Sequence, residues 1–231
     1  MTLLEINVLV ACEESGIVRN AFCREGFNAF SVDILDSSDT TSEFKDRHFK
    51  EDALYVMKFF GPWHLIISHP PCTRLTNAGN RWYDIPPKGK TLEQIQQELV
   101  EGVAFFKACL EAPAHFVAVE NPIMGKKAKD MLGDIGPSQL VQPWYFGEPF
   151  FKGTRFWKKN LPDLIPTNIL TPPIKSENPE EYNKWSYVHR LGPSKDRAKL
   201  RSKTFPGIAE AMAKQWGNHI RNYLKEYKYG L

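Results

Sequence analysis

Residues 68–72 read Ser-His-Pro-Pro-Cys and directly follow an apolar run at 63–67. Two successive prolines hold the backbone extended and donate no hydrogen bond, so they stiffen and aim what comes next. What comes next is Cys72, the best thiol nucleophile position in the chain. A cysteine serves in that role when its thiolate is favoured and its geometry fixed. A second polar group, Glu120-Asn121-Pro122, follows another apolar run at 115–119. A carboxyl group at the end of an apolar strand suits a general acid. Each group alone has a plain structural alternative: a cysteine tucked under a proline turn, or an acid capping the next helix. One nucleophilic and one acidic turn on the same sheet edge are less expected by chance than either alone.

The elements that must position these groups alternate in type. Residues 6–11 form a β-branched apolar run that reads as a buried strand. After a tight turn, Ile17, Val18, Ala21 and Phe22 recur at helical spacing up to Gly26. Further strands are expected at 28–32, ending at Asp33, and at 63–67 and 115–119. The spacing of Ile95, Leu99, Val103, Phe106 and Leu110 predicts a long helix over 92–110. Strand, helix, strand in repetition is the pattern of an α/β domain with a mostly parallel sheet. The polar clusters at 12–16, 33, 68–72 and 120–122 all follow the carboxyl end of a strand, where open α/β sheets bind ligands. One site built from four loops is the expectation.

With 231 residues, 42% hydrophobic and 25% charged, the chain has room for one soluble domain and a small appendage. Three segments are expected. Residues 1–160 form an α/β domain, which the resemblance described below makes the catalytic and cofactor-binding part. Residues 161–203 form a short loop-rich region, by the same resemblance for target recognition, and 204–231 a C-terminal helix returning to the domain. The middle segment carries Pro162, Pro166, Pro172, Pro173, Pro179 and Pro193 and few periodic apolar positions. It is too long for an ordinary connection. No apolar run reaches the ~18 residues of a membrane helix, and the first eleven residues hold Glu5 and no basic leader. A cytoplasmic protein with no membrane partner is expected, in a bacterial or phage-infected cell if the resemblance below holds. Cys12, Cys23, Cys72 and Cys109 lack C-x-x-C spacing, and the six histidines form no helical ligand pair. Neither a disulfide framework nor a metal is expected, and Cys23 and Cys109 read as buried small hydrophobes.

The net charge of +3 is only a mild lean toward an anionic partner. Its distribution says more. Lys184, His189, Arg190, Lys195, Arg197, Lys199, Arg201 and Lys203 face a single acid, Asp196, with Trp185 and Tyr187 inside the stretch. Basic residues interleaved with aromatics suit a nucleic-acid partner, since aromatics stack on bases. A solvated charged face is the simpler alternative, as it is for Lys126, Lys127 and Lys129.

The order of motifs resembles the cytosine-C5 DNA methyltransferases, which use S-adenosylmethionine. It resembles more closely the short phage- and prophage-type DNA cytosine methyltransferase-like proteins. The matching places are Ala11-Cys12-Glu13-Glu14-Ser15-Gly16, Val32-Asp33, Pro70-Pro71-Cys72, Val119-Glu120-Asn121-Pro122, Phe146-Gly147-Glu148-Pro149 leading to Gly153-Thr154-Arg155, and a closing segment with Trp216-Gly217-Asn218. The likeness covers the chain outside 161–200.

This resemblance implies a Rossmann-like, S-adenosylmethionine-dependent methyltransferase fold with a short loop-rich insertion. It implies that Cys72 adds to C6 of a flipped cytosine, activating C5 for the methyl group. Glu120 donates at ring N3, Asn121 fixes that turn, and Arg155 holds the base or neutralises the surroundings of Glu120. The implied cofactor residues are Cys12, Glu13, Glu14, Ser15, Gly16, Asp33, Asp52 and Pro70. Among these, Gly16 lets the first turn approach the amino-acid end of the cofactor beside a helix N-terminus, and Asp33 accepts the ribose hydroxyls. Asp52 lies at the adenine edge or in solvent. The implied DNA contacts are Lys184, Arg190, Lys195, Arg197 and Arg201, with Trp185 or Tyr187 filling the gap left by the flipped base. The basic motif departs from the family in having Lys152 and Arg155 with no glutamine.

Other readings stay open on sequence alone. Amino-methylating enzymes resemble Asp-Pro-Pro-Tyr or Asn-Pro-Pro-Tyr, whereas His69 precedes and Cys72 follows the prolines here. A catalytically silent nucleic-acid or cofactor binder of the same fold is another. The same mechanism on RNA or a nucleotide, or with a modified donor, is a third.

Overall fold

The computed structural model describes residues 5–192 and 201–229. Seven strands form one sheet: β1 (Asn7–Ala11), β2 (Asn28–Asp33), β3 (His48–Lys50), β4 (Trp63–Ser68), β5 (Ala114–Pro122), β6 (Ser138–Val141) and β7 (Thr154–Lys159). Their spatial order is β3-β2-β1-β4-β5-β7-β6. The first five run parallel, and β7 lies antiparallel between β5 and β6. This is the Rossmann-like methyltransferase fold that the motif order implied.

Strand alternation sorts the core into two layers. Val8, Val10, Leu65, Ile67, Phe116 and Ala118 point to the face covered by α1 (Ile17–Arg24) and the C-terminal helical segment. Leu9, Ile66, Val117 and Val119 point to the face covered by α2 (Ala53–Phe59), α3 (Leu92–Leu110) and α4 (Lys126–Leu132). Strands buried on both faces read as continuous apolar runs, which is why β1 and β4 stood out in the sequence.

Helix α3 has the predicted bounds because Thr91 and Gln94 close a reciprocal capping box at its start. The C-terminal segment is helical from Pro206 to Tyr229, with one π turn at Met212–Trp216. That turn buries Trp216 edge-on to Phe156 of β7, and the Trp216 Nε1–H donates to the Pro162 carbonyl at 3.0 Å. The segment therefore docks back on the sheet. None of the described helices is long and apolar enough to cross a membrane.

One expected boundary is corrected. Glu120-Asn121-Pro122 is not a turn after β5 but its last three residues, paired with Phe156, Arg155 and Thr154 of β7. The antiparallel neighbour supplies backbone partners beyond the point where the apolar pattern stops.

Candidate active site

The Cys72 loop is pinned at both ends. The His69 N–H donates to the Ala11 carbonyl at 2.9 Å, extending the β4–β1 ladder by one residue. The Cys72 carbonyl then accepts from Leu75 (3.0 Å) and Thr76 (3.1 Å), so the thiol sits at the head of a turn. Buried Arg74 anchors that turn to α3 through Glu98 (2.6 Å), and the Tyr83 hydroxyl caps the Arg74 carbonyl at 2.5 Å. The Asn77 N–H reaches the Ile123 carbonyl at 3.2 Å, and the Gly125 N–H reaches that of Leu75 at 2.8 Å. The loop carrying Cys72 and the segment following Glu120 are thus bonded backbone to backbone, which fixes their separation.

Residues directly opposite in an antiparallel pair project to the same face. Glu120 opposes Phe156, so it lies on the α1 side with Thr154, whose hydroxyl donates to Glu120 Oε1. Arg155 opposes Asn121 and lies on the other face. There its guanidinium donates to the Ser138 side chain at 3.1 Å and backbone at 3.4 Å. The expectation that Arg155 serves Glu120 is corrected: a period of two puts the neighbouring residues, not Arg155, on the site face. Asn121 is fully buried, and its amide donates to the Pro122 carbonyl at 2.8 Å, holding the strand end in place.

The cation that meets Glu120 and Cys72 is Lys152, two residues ahead of β7. Its ammonium donates to the Lys203 carbonyl at 2.7 Å and lies over the Phe205 ring. Burial lowers its pKa, against which Glu120 and Cys72 raise it. Burial, with a contribution from Glu120, pushes the Cys72 thiol up, while Lys152 and Arg201 pull it down. The resting side chain is therefore a thiol with two cations ready to favour its thiolate. His69 completes the cluster, with Nδ1 3.5 Å from Glu120 Oε2. Sequence reading passed over Thr154 and His69 and noted Lys152 only as a departure. The two-residue period from Lys152 through Thr154 to Phe156 was the signal that could have picked out the first and last of these cationic and polar partners.

The first turn differs from expectation. Gly16 adopts a left-handed φ of 68° at the start of α1. The N–H groups of Val18 and Arg19 donate to the buried Glu13 carboxylate at 2.6 and 3.2 Å. The anion seat at this helix N-terminus is taken by the chain's own side chain, so the reading of Gly16 as a cofactor-carboxylate approach is corrected. Burial raises the Glu13 pKa, chiefly against the His69 charge. The Ser15 hydroxyl donates to Glu13 at 3.4 Å, and the Glu14 carbonyl accepts from Ser38 at 2.8 Å. Cys12 has a φ of 58°, and burial, then Cys109, Asp33 and Asp52, raise its thiol pKa.

Asp33 and Asp52 end β2 and follow β3, adjacent strands of the sheet. Asp33 Oδ1 accepts from the Leu35 N–H at 2.9 Å, and Asp52 is the N-cap of α2, accepting from Tyr55 at 2.8 Å. Ile34 and Leu35, which follow Asp33, are 73% and 58% exposed, an apolar surface next to that carboxylate. That donor set fits the nucleoside end of S-adenosylmethionine, with hydroxyls for the acids and a flat base for the apolar surface. Pro70 is buried and forms part of the loop's wall.

In the segment expected to recognise the target, α5 (Pro179–Trp185) docks on Phe151, next to Lys152, and α6 (Tyr187–Arg190) follows it. Trp185 is 5% exposed against Phe151, and its indole donates to Glu181 at 3.2 Å. Its ring is committed to that packing, which corrects its assignment to the gap left by a flipped base. Tyr187 is half exposed, and Lys184 and Arg190 lie on the surface, bonded to Glu181 and Asn183. Arg201 comes near Cys72, Lys152 and His189. Lys195 and Arg197 lie outside the described residues.

No protein-family model matches the chain, and no curated protein sequence matches it. Among solved structures it is similar to a protein described as a DNA modification methyltransferase, encoded within an E. coli prophage. That match has 20% identity and a TM-score of 0.44, covering 75% of this chain and 54% of the other. It is also similar to a mutant of Spodoptera frugiperda DNMT2, at 15% identity and a TM-score of 0.39, covering 73% of this chain and 57% of that one. The chain spans little more than half the length of each.

Proposed function

We propose that this protein transfers a methyl group from S-adenosylmethionine to C5 of cytosine in DNA through a covalent adduct on Cys72. The observation that carries the reading is the joining of Cys72 and Glu120 on one side of the sheet by bonded loops, with Lys152 and Arg201 facing the thiol.

Cytosine C5 is a weak nucleophile. Addition of the Cys72 thiolate at C6 converts the ring to an enamine whose C5 attacks an electrophilic carbon. Lys152 and Arg201 lower the cost of forming that thiolate in a site whose burial opposes it. Charge builds at ring N3 as the adduct forms, and Glu120, oriented by the Thr154 hydroxyl, meets it with a proton. Water then takes the C5 proton, the C5–H electron pair reforms the C5–C6 double bond, and the C–S bond breaks to release Cys72 as thiolate. S-adenosylmethionine, when bound, supplies the methyl group on a sulfonium, and Asp33 and Asp52 would hold its nucleoside end. The base reaches the site only by leaving the duplex stack. Lys184, Arg190 and Arg201 would contact phosphates, with Tyr187 free to stack.

Mass spectrometry of nucleosides from DNA and RNA, after expression of wild-type and Cys72→Ala protein, tests the reading. Wild type should raise 5-methylcytosine in DNA alone and form a stable adduct with DNA containing 5-fluorocytosine. Cys72→Ala should do neither while folding normally, because Cys72 closes no disulfide. Modification by the Cys72→Ala protein would overturn the mechanism.

A further inference from the structure

His69 occupies a position that neither the fold nor the proline turn requires to be histidine. Its backbone N–H pairs with Ala11, and any residue but proline could supply that bond. The side chain, however, continues the face of Leu65 and Ile67 and therefore points toward the same side as Glu120. Nδ1 lies 3.5 Å from Glu120 Oε2, with side-chain exposures of 9% and 16%. The other ring nitrogen, Nε2, is buried with no hydrogen-bond partner among the described residues. An unmade bond at a buried polar atom is a cost to the fold, so this ring nitrogen adds nothing to stability.

The groups around it form a chain. Glu13 faces the imidazole from the first turn, and Glu120 faces it from β5. Thr154 holds the other oxygen of Glu120, and the charges of Cys72 and Lys152 act on the same carboxylate. Glu120 thus has a donating hydroxyl on one oxygen and, beside the other, an imidazole, a side chain suited to proton transfer.

We infer that His69 is the positioning residue for Glu120 and the source of the proton that Glu120 delivers to the base, an inference that rests on the cytosine reading above. As the Cys72 sulfur bonds to C6, the proton on His69 Nδ1 passes to Glu120 Oε2, and Glu120 gives a proton to ring N3. When the C–S bond breaks, N3 returns its proton to Glu120 and Glu120 to His69. No net proton is consumed in this relay.

Two measurements on the full chain decide it. The first records the His69 ring nitrogen and proton resonances by NMR in wild type and in Glu120→Gln. Removing the carboxylate beside Nδ1 should shift the Nδ1 resonance, and an unchanged resonance would overturn the pairing. The second compares rates of adduct formation on 5-fluorocytosine DNA. His69→Asn keeps an N–H donor near the Nδ1 position but cannot titrate. It should slow adduct formation about 10- to 100-fold and remove one inflection from the pH profile. His69→Ala should lose more, and both should bind S-adenosylmethionine as wild type does in calorimetry. A His69→Asn protein with the wild-type rate and pH profile sinks the relay. A wild-type protein that methylates no nucleic acid overturns the cytosine reading instead, and the Nδ1 resonance still decides whether His69 and Glu120 form a pair.

Discussion

The two faces of the β5–β7 ladder carry polar residues of opposite kinds, one residue apart in sequence. On the α1 side Glu120 meets Thr154, with His69 and Lys152 close by. On the α3 side Asn121 is sealed in the interior and Arg155 is bonded to Ser138 of β6. The first set lies near the Cys72 thiol, and the second ties strand ends together. Adjacent residues of one motif therefore belong to different jobs, and side-chain alternation makes the division.

The largest test of this contrast is Glu120→Gln. It should reduce transfer by about 10²- to 10⁴-fold, the usual contribution of a positioned acid, with little change in melting temperature. Equal loss of stability and activity would place Glu120 with the structural set. Lys152→Met comes next. The ammonium lowers the Cys72 pKa, so its removal should raise it. Alkylation of Cys72 by iodoacetamide should then show its inflection at higher pH, with turnover near neutrality down about tenfold. An unmoved inflection would separate Lys152 from the thiol.

Arg155→Met is the counterpart on the other face. Losing its bonds to Ser138 should cost about 1 kcal/mol, a drop of about 2–4 °C, while turnover of the folded protein stays within about twofold of wild type. A turnover loss matching that of Lys152→Met would erase the distinction between the faces.

The smallest effect concerns the loop leading into Lys152. Burial, with Glu210 nearby, pushes the Glu148 carboxyl up from 4.5 to about 7. Between those values the native state keeps a proton that the unfolded chain has released, so stability falls as pH rises through that window. Glu148→Gln should flatten that decline and raise the melting temperature above pH 7 by about 1–2 °C, after discounting for solvent screening. A melting curve series that keeps the wild-type slope would exclude Glu148 as its source.

Much of this was legible from residue types. β1, β2, β4 and α3 declared themselves because buried parallel strands are continuous apolar runs and an amphipathic helix repeats every three to four residues. Cys72 and Glu120 were legible because polar groups at strand ends stand out against such runs. β3, β6 and α2 were not. β3 has three residues and β6 four, too few for a period to register. Trp185 misled because a tryptophan in a basic stretch has the same composition whether it stacks on a partner or, as here, on Phe151.

The sequence by itself determined the parallel α/β sheet, the edge on which polar loops gather, and the two residue types, a thiol and a carboxyl, that stand at its strand ends. Those follow from local pattern, since burial and backbone stiffness are read over a few neighbours. Only the tertiary structure decided the partners. The antiparallel register of β7 chose Thr154 over Arg155, and the Glu13 cap filled the helix N-terminus expected to hold a ligand. The close approach of β4 and β5 brought His69 to Glu120 across 51 residues of chain (120 − 69). Such choices turn on which face a side chain takes and which strand lies beside it, and contacts between residues far apart in the chain leave no periodic trace in it.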